Sequence, residues 1–304
     1  MVAYHFGFTD AYGRATADDG GKALRPLLVF LSAEAAGGSA RRAVPGAVAV
    51  ELVHNFSLLH DDVMDHDEQR RHRPTAWTVF GVAPTIAAGD ALANLAHEVL
   101  LAEPTPERIE ADAALTTATA RMIAGQCDDL AFQSRPEVSI DDCLRMMSDK
   151  TGALFSCAAS LGAIQVGGRE DQGQALRRFG LHLGLAFQAA DDILGIWGEP
   201  DVTGKPAAND LRERKKTLPV VAALASKTPV GWTLRQLLSN GHLNVQAVTR
   251  AAHLVDEAGG REWTLKEAER HARLARQALE LTPVNEDARR QLIEVAEFVT
   301  ARDF

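Results

Sequence analysis

The chain of 304 residues is short of cysteine, of positive charge and of long apolar runs, and each shortage removes a class of protein. Cys127, Cys143 and Cys157 are its three cysteines. They show no CxxC spacing and fall in apolar or helical context, so neither a disulfide framework nor a zinc site is indicated. They read as reduced core residues of a cytoplasmic protein. Acidic residues outnumber basic ones by 41 to 32, a formal net charge of −9. Because a nucleic-acid surface demands a basic stripe, that partner is not expected. No uninterrupted run of about 18 apolar residues occurs, and no basic start followed by an apolar run opens the chain, so neither a membrane span nor export is expected. Internal repeats, low-complexity tracts and strand-like alternation long enough to build a sheet are missing too. What remains is 46% hydrophobic and 24% charged, ordinary for a globular chain, and carries helical periods. The expected fold class is all-α. It is read as one helical domain over residues 20–304, after an N-terminal segment, 1–19, that reads as loop.

The residues that are present concentrate their chemistry in His54 to Thr75, HNFSLLHDDVMDHDEQRRHRPT. Pro45 sits where a helix can start, and residues 44–65 then read as one helix ending in acid. On that helix Asp61 and Asp65 share a face, and Asp62 stands about one turn from Asp65. Three carboxylates this close raise one another's pKa and repel unless a divalent cation lies between them. Hard oxygen ligands suit Mg²⁺ or Mn²⁺, and Mg²⁺ takes only one or two protein carboxylates, completing its shell with water and phosphate oxygens. Arg70 and Arg71 follow at once and can grip phosphate in bidentate fashion. A solvated acidic helix end is the bland alternative. A second acidic face, Gln188 with Asp191 and Asp192 in QAADDILGIWGE, argues against it and suggests two metal clamps facing one cavity. Glu51 and His54 form the ExxH pair of a di-iron bundle, but that architecture needs a second ExxH, and this sequence has none.

GGKALRP (Gly20 to Pro26), LLHDDVMD with Arg70 and Arg71, DKTG (Asp149 to Gly152), FQAADDILG, TGKP (Thr203 to Pro206) and NDLRERKKTLP (Asn209 to Pro219) occur in that order. Over about residues 20–220 the chain resembles the trans-prenyl diphosphate synthases, closest to those making geranylgeranyl or farnesyl diphosphate. The resemblance implies a single helical bundle of the isoprenoid synthase type around a central cavity. It implies a prenyltransferase that condenses isopentenyl diphosphate with an allylic diphosphate, as a homodimer, using Mg²⁺, with three ions expected and Mn²⁺ as a substitute. By resemblance Lys22, Arg25, His54 and Arg71 bind isopentenyl diphosphate. Asp61, Asp62, Asp65, Asp191 and Asp192 hold metal, while Arg70, Lys150, Thr151, Gln188, Lys205 and Lys215 meet the allylic diphosphate. Gln126 and Asp129, in GQCDDL, resemble a helix motif lining the cavity.

The sequence departs from the family pattern in two places. Position 195 is Gly where many members have a third Asp, so Gln188 or water is expected to complete the second metal shell. Arg214 stands where the family often has Gly, and Lys216 rivals Lys215 as the lysine of that motif. Phe56 and Ser57, five and four residues before Asp61, are the family's usual chain-length determinants. On a simple wheel Ser57 faces with Asp61 and Phe56 lies about 140° away. One aromatic with a small neighbour suits a medium chain, so a C20 product is expected first and C15 next. Replacing Asp61 or Asp62 is expected to abolish turnover with little loss of fold. Two alternatives stay open. A class I terpene cyclase would match Asp191 and Glu199 but has no use for the isopentenyl diphosphate residues, and a non-catalytic modulatory subunit would tolerate Gly195.

Overall fold

A computed structural model describes residues 1–16, 23–199, 208–239, 243–280 and 282–300. Among them secondary structure is almost wholly helical, the expected class. The order is α1 (Val2–His5), α2 (Leu24–Ala35), a 3₁₀ turn (Ala40–Ala43), α3 (Val44–Met64), β1 (Gln69–Arg70), β2 (Arg73–Pro74), α4 (Ala76–Phe80), α5 (Val82–Leu101) and α6 (Pro106–Ser134). There follow α7 (Ile140–Met147), a π turn (Ser148–Gly152), α8 (Ala153–Gln165), α9 (Glu170–Trp197), α10 (Asn209–Arg212), α11 (Leu218–Ala225), α12 (Pro229–Ser239), α13 (Val245–Glu257), α14 (Gly260–Glu280) and α15 (Glu286–Thr300). Helix starts follow local chemistry. Pro45 opens α3, Thr105 Oγ1 accepts the Arg108 N–H at the start of α6, and Ser139 with Asp142 forms a reciprocal capping box on α7.

The chain divides into two compact units. The first comprises Met1–Thr117, Cys157–Arg177 and Thr282–Leu292. Its core is built from Leu28, Val29 and Leu31 on α2, Val50, Val53 and Leu59 on α3, and Leu92 and Ala96 on α5. Helices α3 and α5 pack along their length, and Gly89 of α5 gives room to the His60 ring of α3. Gly162 is needed where α8 meets α2, since a Cβ there would stand 1.9 Å from the Val29 carbonyl oxygen. The N-terminal segment is more than loop: residues 2–5 form a helical turn, Thr9 bridges Ala15, and Tyr4 is buried.

The second unit comprises Ala118–Ser156, Arg178–Leu281 and Ile293–Phe304. One cluster joins Phe132 of α6, Cys143 and Met146 of α7, Leu185 of α9, Leu218 of α11 and Ala268 of α14. Another joins Ile196 of α9, Leu211 of α10, Val220 of α11, Leu234 of α12 and Val255 of α13. Of the three free cysteines, Cys143 and Cys157 are buried as expected, whereas Cys127 is exposed on α6. Its neighbours in sequence gave no period strong enough to fix which face it takes. No helix among the described residues is long and apolar enough to cross a membrane.

Candidate active site

In the first unit α3 delivers its acid at its own C-terminus, with Asp65 as the C-cap residue. The dipole is negative there, so three carboxylates stand where cations, not anions, are favoured. Their environments differ. Asp61 and Asp65 are half-buried, while Asp62 is 1% exposed. Arg70 Nε and Nη2 each lie 2.7 Å from Asp62 Oδ1. Burial opposes the Arg70 charge, yet Asp62, Asp67 and Asp61 outweigh it and raise its pKa. Asp62 thus grips Arg70, and the other two carboxylates, one turn apart, are more exposed than it is.

The arginines sit on a β-hairpin, a feature with no signal in the sequence. Strands β1 and β2 pair Arg70 with Arg73, and the two connecting residues, Arg71 and His72, have φ of 52° and 60°. That is the two-residue left-handed turn usually filled by Asn-Gly. Behind it the Asp67 carbonyl accepts from Thr75 Oγ1 at 2.7 Å and Trp77 Nε1 at 2.8 Å, fixing the loop that returns from α3.

Arg25 Nη1 lies 3.2 Å from His54 Nε2. Burial, then Arg25, Arg70 and Arg71, hold the His54 pKa far below its usual value, so a neutral imidazole accepts from Arg25. Lys22 lies outside the described residues. Sequence reasoning missed His5. Burial, then Arg70 and Arg71, lower its pKa to about 4, and its segment is pinned to the hairpin by Tyr4 Oη donating to the Pro74 carbonyl at 2.7 Å. Arg73 stacks over the Tyr4 ring at 4.4 Å and donates to the Thr9 carbonyl. Phe56 is buried and meets His60 edge to face at 4.9 Å, and Ser57 Oγ donates to the His54 carbonyl. Glu51 accepts from Asn55, its nearest polar neighbour on the helix.

In the second unit Lys150 and Thr151 fall in the π turn, not in regular helix. Lys150 Nζ pairs with Asp129, and Arg121 Nε donates to Asp149 at 2.8 Å. Gly125 makes this possible: a Cβ there would stand 2.2 Å from the Lys150 nitrogen. Among the described residues neither amide atom of the buried Gln126 has a hydrogen-bond partner. A buried amide in that state costs on the order of 1–3 kcal/mol unless a ligand meets it.

From Thr151 a chain of hydrogen bonds runs inward. Thr151 Oγ1 donates to Gln188 Oε1 at 2.6 Å, Gln188 Nε2 donates to Asp192 Oδ1 at 2.8 Å, and the Leu218 N–H donates to Asp192 Oδ2 at 2.9 Å. Both ends of Gln188 and both oxygens of Asp192 are therefore engaged by protein. Burial raises the Asp192 pKa to about 7 even though the Leu218 and Gln188 bonds favour its charge. Asp191 is half-buried on the same helix. Lys215 donates its N–H to the Asp210 carbonyl and its ammonium pairs with Glu213. Lys216 lines a hollow of ≈ 750 Å³ with Glu137, Trp232 and Arg235, and also lines a smaller one together with Lys215. Arg214 has φ of 57°, the conformation for which the family's Gly is suited. Gly204 and Lys205 lie outside the described residues.

Among the described residues no three acidic, histidine or cysteine side chains close on one point as a metal cage. Two carboxylates one helical turn apart are a donor set Mg²⁺ accepts when phosphate and water complete its shell, so the oxygen chemistry of Asp61 and Asp65 fits that ion. The polyprenyl synthetase family profile matches residues 9–255. A (2E,6E)-farnesyl diphosphate synthase of Mycobacterium tuberculosis is 48% identical over 275 residues, 89% of this chain and 77% of that protein. A geranylgeranyl diphosphate synthase of the same organism is 46% identical over 263 residues, 86% and 75%. The crystal structure of a polyprenyl synthetase from Streptomyces coelicolor superposes with a TM-score of 0.93 at 50% identity, covering 98% of this chain and 90% of that one. The chain belongs to the polyprenyl synthetase family and is an enzyme of that class, a trans-prenyltransferase.

Proposed function

We propose that the enzyme joins isopentenyl diphosphate to an allylic prenyl diphosphate and releases a trans-prenyl diphosphate of 15 or 20 carbons. The observation that carries this reading is the end of α3, where Asp61 and Asp65 stand one turn apart, half-buried, while the buried Asp62 holds Arg70. Mg²⁺, when bound, supplies positive charge to the oxygens of the departing diphosphate. Asp61, Asp65 and Asp191 hold it, with three ions expected and Mn²⁺ able to substitute. Arg70, Lys150 and Lys205 neutralise the phosphates that the carboxylates leave uncovered, and Thr151 with Gln188 keeps the π turn in place. Arg25, neutral His54, Arg71 and Lys22 hold the isopentenyl diphosphate.

With both partners fixed, the allylic carbon–oxygen bond breaks and the isopentenyl double bond forms the new carbon–carbon bond. A proton then leaves to the departing diphosphate. Apolar helix faces keep out water that would trap the cation as an alcohol. Phe56 and Ser57 are proposed to set tail length. The relatives named for C15 and C20 products stand at 48% and 46% identity, so both lengths are kept. A homodimer is supported by the outward row Ala83, Ala87, Ala91 and Leu95 on α5, with exposed Ile86 beside it.

The test is to incubate the protein with Mg²⁺, labelled isopentenyl diphosphate and each of the C5, C10 and C15 allylic diphosphates, then size the dephosphorylated products. A ladder ending at C15 or C20 is expected. Hydrocarbon formed without label would make the enzyme a cyclase, and no turnover would make the chain a modulatory subunit.

A further inference from the structure

Position 195 lies one helical turn after Asp191 on α9 and so shares its face, the relation that Asp65 bears to Asp61 on α3. In the first unit both positions carry carboxylates. In the second, residue 195 is Gly, and that space is filled from elsewhere in the chain. A Cβ built on Gly195 would lie 2.0 Å from Asp210 Oδ2, 2.6 Å from its Cγ and 3.2 Å from Oδ1. The carboxylate of Asp210 occupies the volume that a side chain at 195 would need.

This placement is enforced. Asp210 rides on α10, a four-residue turn whose Leu211 is 1% exposed and packs in one cluster with Ile196, the residue after Gly195. The Arg214 N–H bonds the Leu211 carbonyl and the Lys215 N–H bonds the Asp210 carbonyl, with Arg214 in the left-handed conformation that closes the turn. Of the two expected substitutes, Gln188 and water, the first is taken: Gln188 spends its amide on Thr151 and Asp192, whose oxygens are in turn held by Gln188 and the Leu218 N–H.

We propose that Asp210 supplies the second metal-facing carboxylate of the α9 site, paired with Asp191, and that glycine at 195 is required to admit it. The inference rests on the metal-bridged diphosphate reading above and reassigns one ligand within it. Gly195 and Asp210 are then a reciprocal pair: a carboxylate is needed at one address or the other, and there is room for only one.

The experiment compares wild type, Asp191→Ala, Asp210→Asn, Gly195→Ala and the exchange Gly195→Asp with Asp210→Gly. Each is titrated with Mg²⁺ in the presence of inorganic diphosphate, read by calorimetry and by the rise in melting temperature, without turnover. Asp210→Asn keeps the volume and removes the charge, so, with each variant's response measured against its own ion-free melting temperature, the Mg²⁺ midpoint should rise about tenfold or more. Gly195→Ala should melt lower than wild type, having no room for its methyl group. The exchange should bring the midpoint back to within about threefold of wild type, since the carboxylate has only changed address. An unchanged midpoint in Asp210→Asn, with Asp191→Ala shifted, overturns the assignment of Asp210 and leaves the metal reading standing. Unchanged midpoints in both overturn the metal reading itself. A folded exchange variant that stays as weak as Asp210→Asn overturns the reciprocity.

Discussion

At the scale of single residues, neighbours in the acidic motif have different work because burial divides them. Asp61 is half-buried, whereas Asp62 is 1% exposed and carries the Arg70 guanidinium on one oxygen. The expectation that either can be removed with little loss of fold is therefore kept as a prediction for Asp61 and revised for Asp62. Taking away Asp62 leaves a largely buried cation without its nearest counter-charge, which costs about 3 kcal/mol. Asp61→Ala should keep its denaturant midpoint to within about 0.5 kcal/mol and lose turnover. Asp62→Ala should lose both. The check is chemical denaturation of each variant beside a turnover assay, and equal stability of the two would remove the structural role given to Asp62. His5 and Asp210 belong to this scale as well, since neither could be read in advance: each reaches its neighbours through folding, across sequence gaps with no period.

Elements show which local rules were readable. The start of α3 rests on the fixed φ of Pro45, and the box of Ser139 and Asp142 and the start of α6 at Thr105 rest on a side chain meeting a backbone group within four residues, so the sequence displays them. The hairpin and the π turn do not work that way. Arg71 and His72 fill a turn that favours Asn and Gly, so their identities hide it. Two L-residues at φ above 50° are strained, and on the proposed function strain at one of them has a use, since Arg71 is the residue assigned to a diphosphate. His72 has no such assignment and is exposed. His72→Gly should therefore stabilise the protein by about 0.5–1 kcal/mol with kinetics unchanged. Arg71→Gly should gain similar stability but raise KM for isopentenyl diphosphate. Denaturation midpoints and substrate titrations on both variants separate the effects, and a His72→Gly protein no more stable than wild type would mean that the turn is not strained.

For the whole molecule, the buried titratable groups set how stability answers to acid. His5 and His271 are lowered to about 4, and His54 and His182 are lowered as well, burial being the largest cause in every case. His271 touches His182 at 2.9 Å through their Nδ1 atoms and Glu267 through Nε2, with Arg270 beside it, so the pair shares one hydrogen and stays neutral. For these four, the unfolded chain binds protons near pH 6.5 while the folded one takes them up only at lower pH, about 4 for His5 and His271. Their contribution is fully present above 6.5 and is lost as pH falls through that window. Asp192 acts in the opposite sense: its folded pKa of about 7 lies above the ordinary value of 3.8, so its burial costs stability at high pH, and that cost fades as pH falls. Four histidines against one carboxyl leave a net uptake of protons on unfolding, and the metal-free protein should lose melting temperature steadily from pH 6.5 toward 4. His271→Gln, which can still donate and accept towards His182 but cannot charge, should flatten that slope by up to one proton per molecule. Scanning calorimetry across the window checks it. A His271→Gln protein that follows the wild-type slope would mean that the histidine pair charges as readily in the folded chain as in the unfolded one.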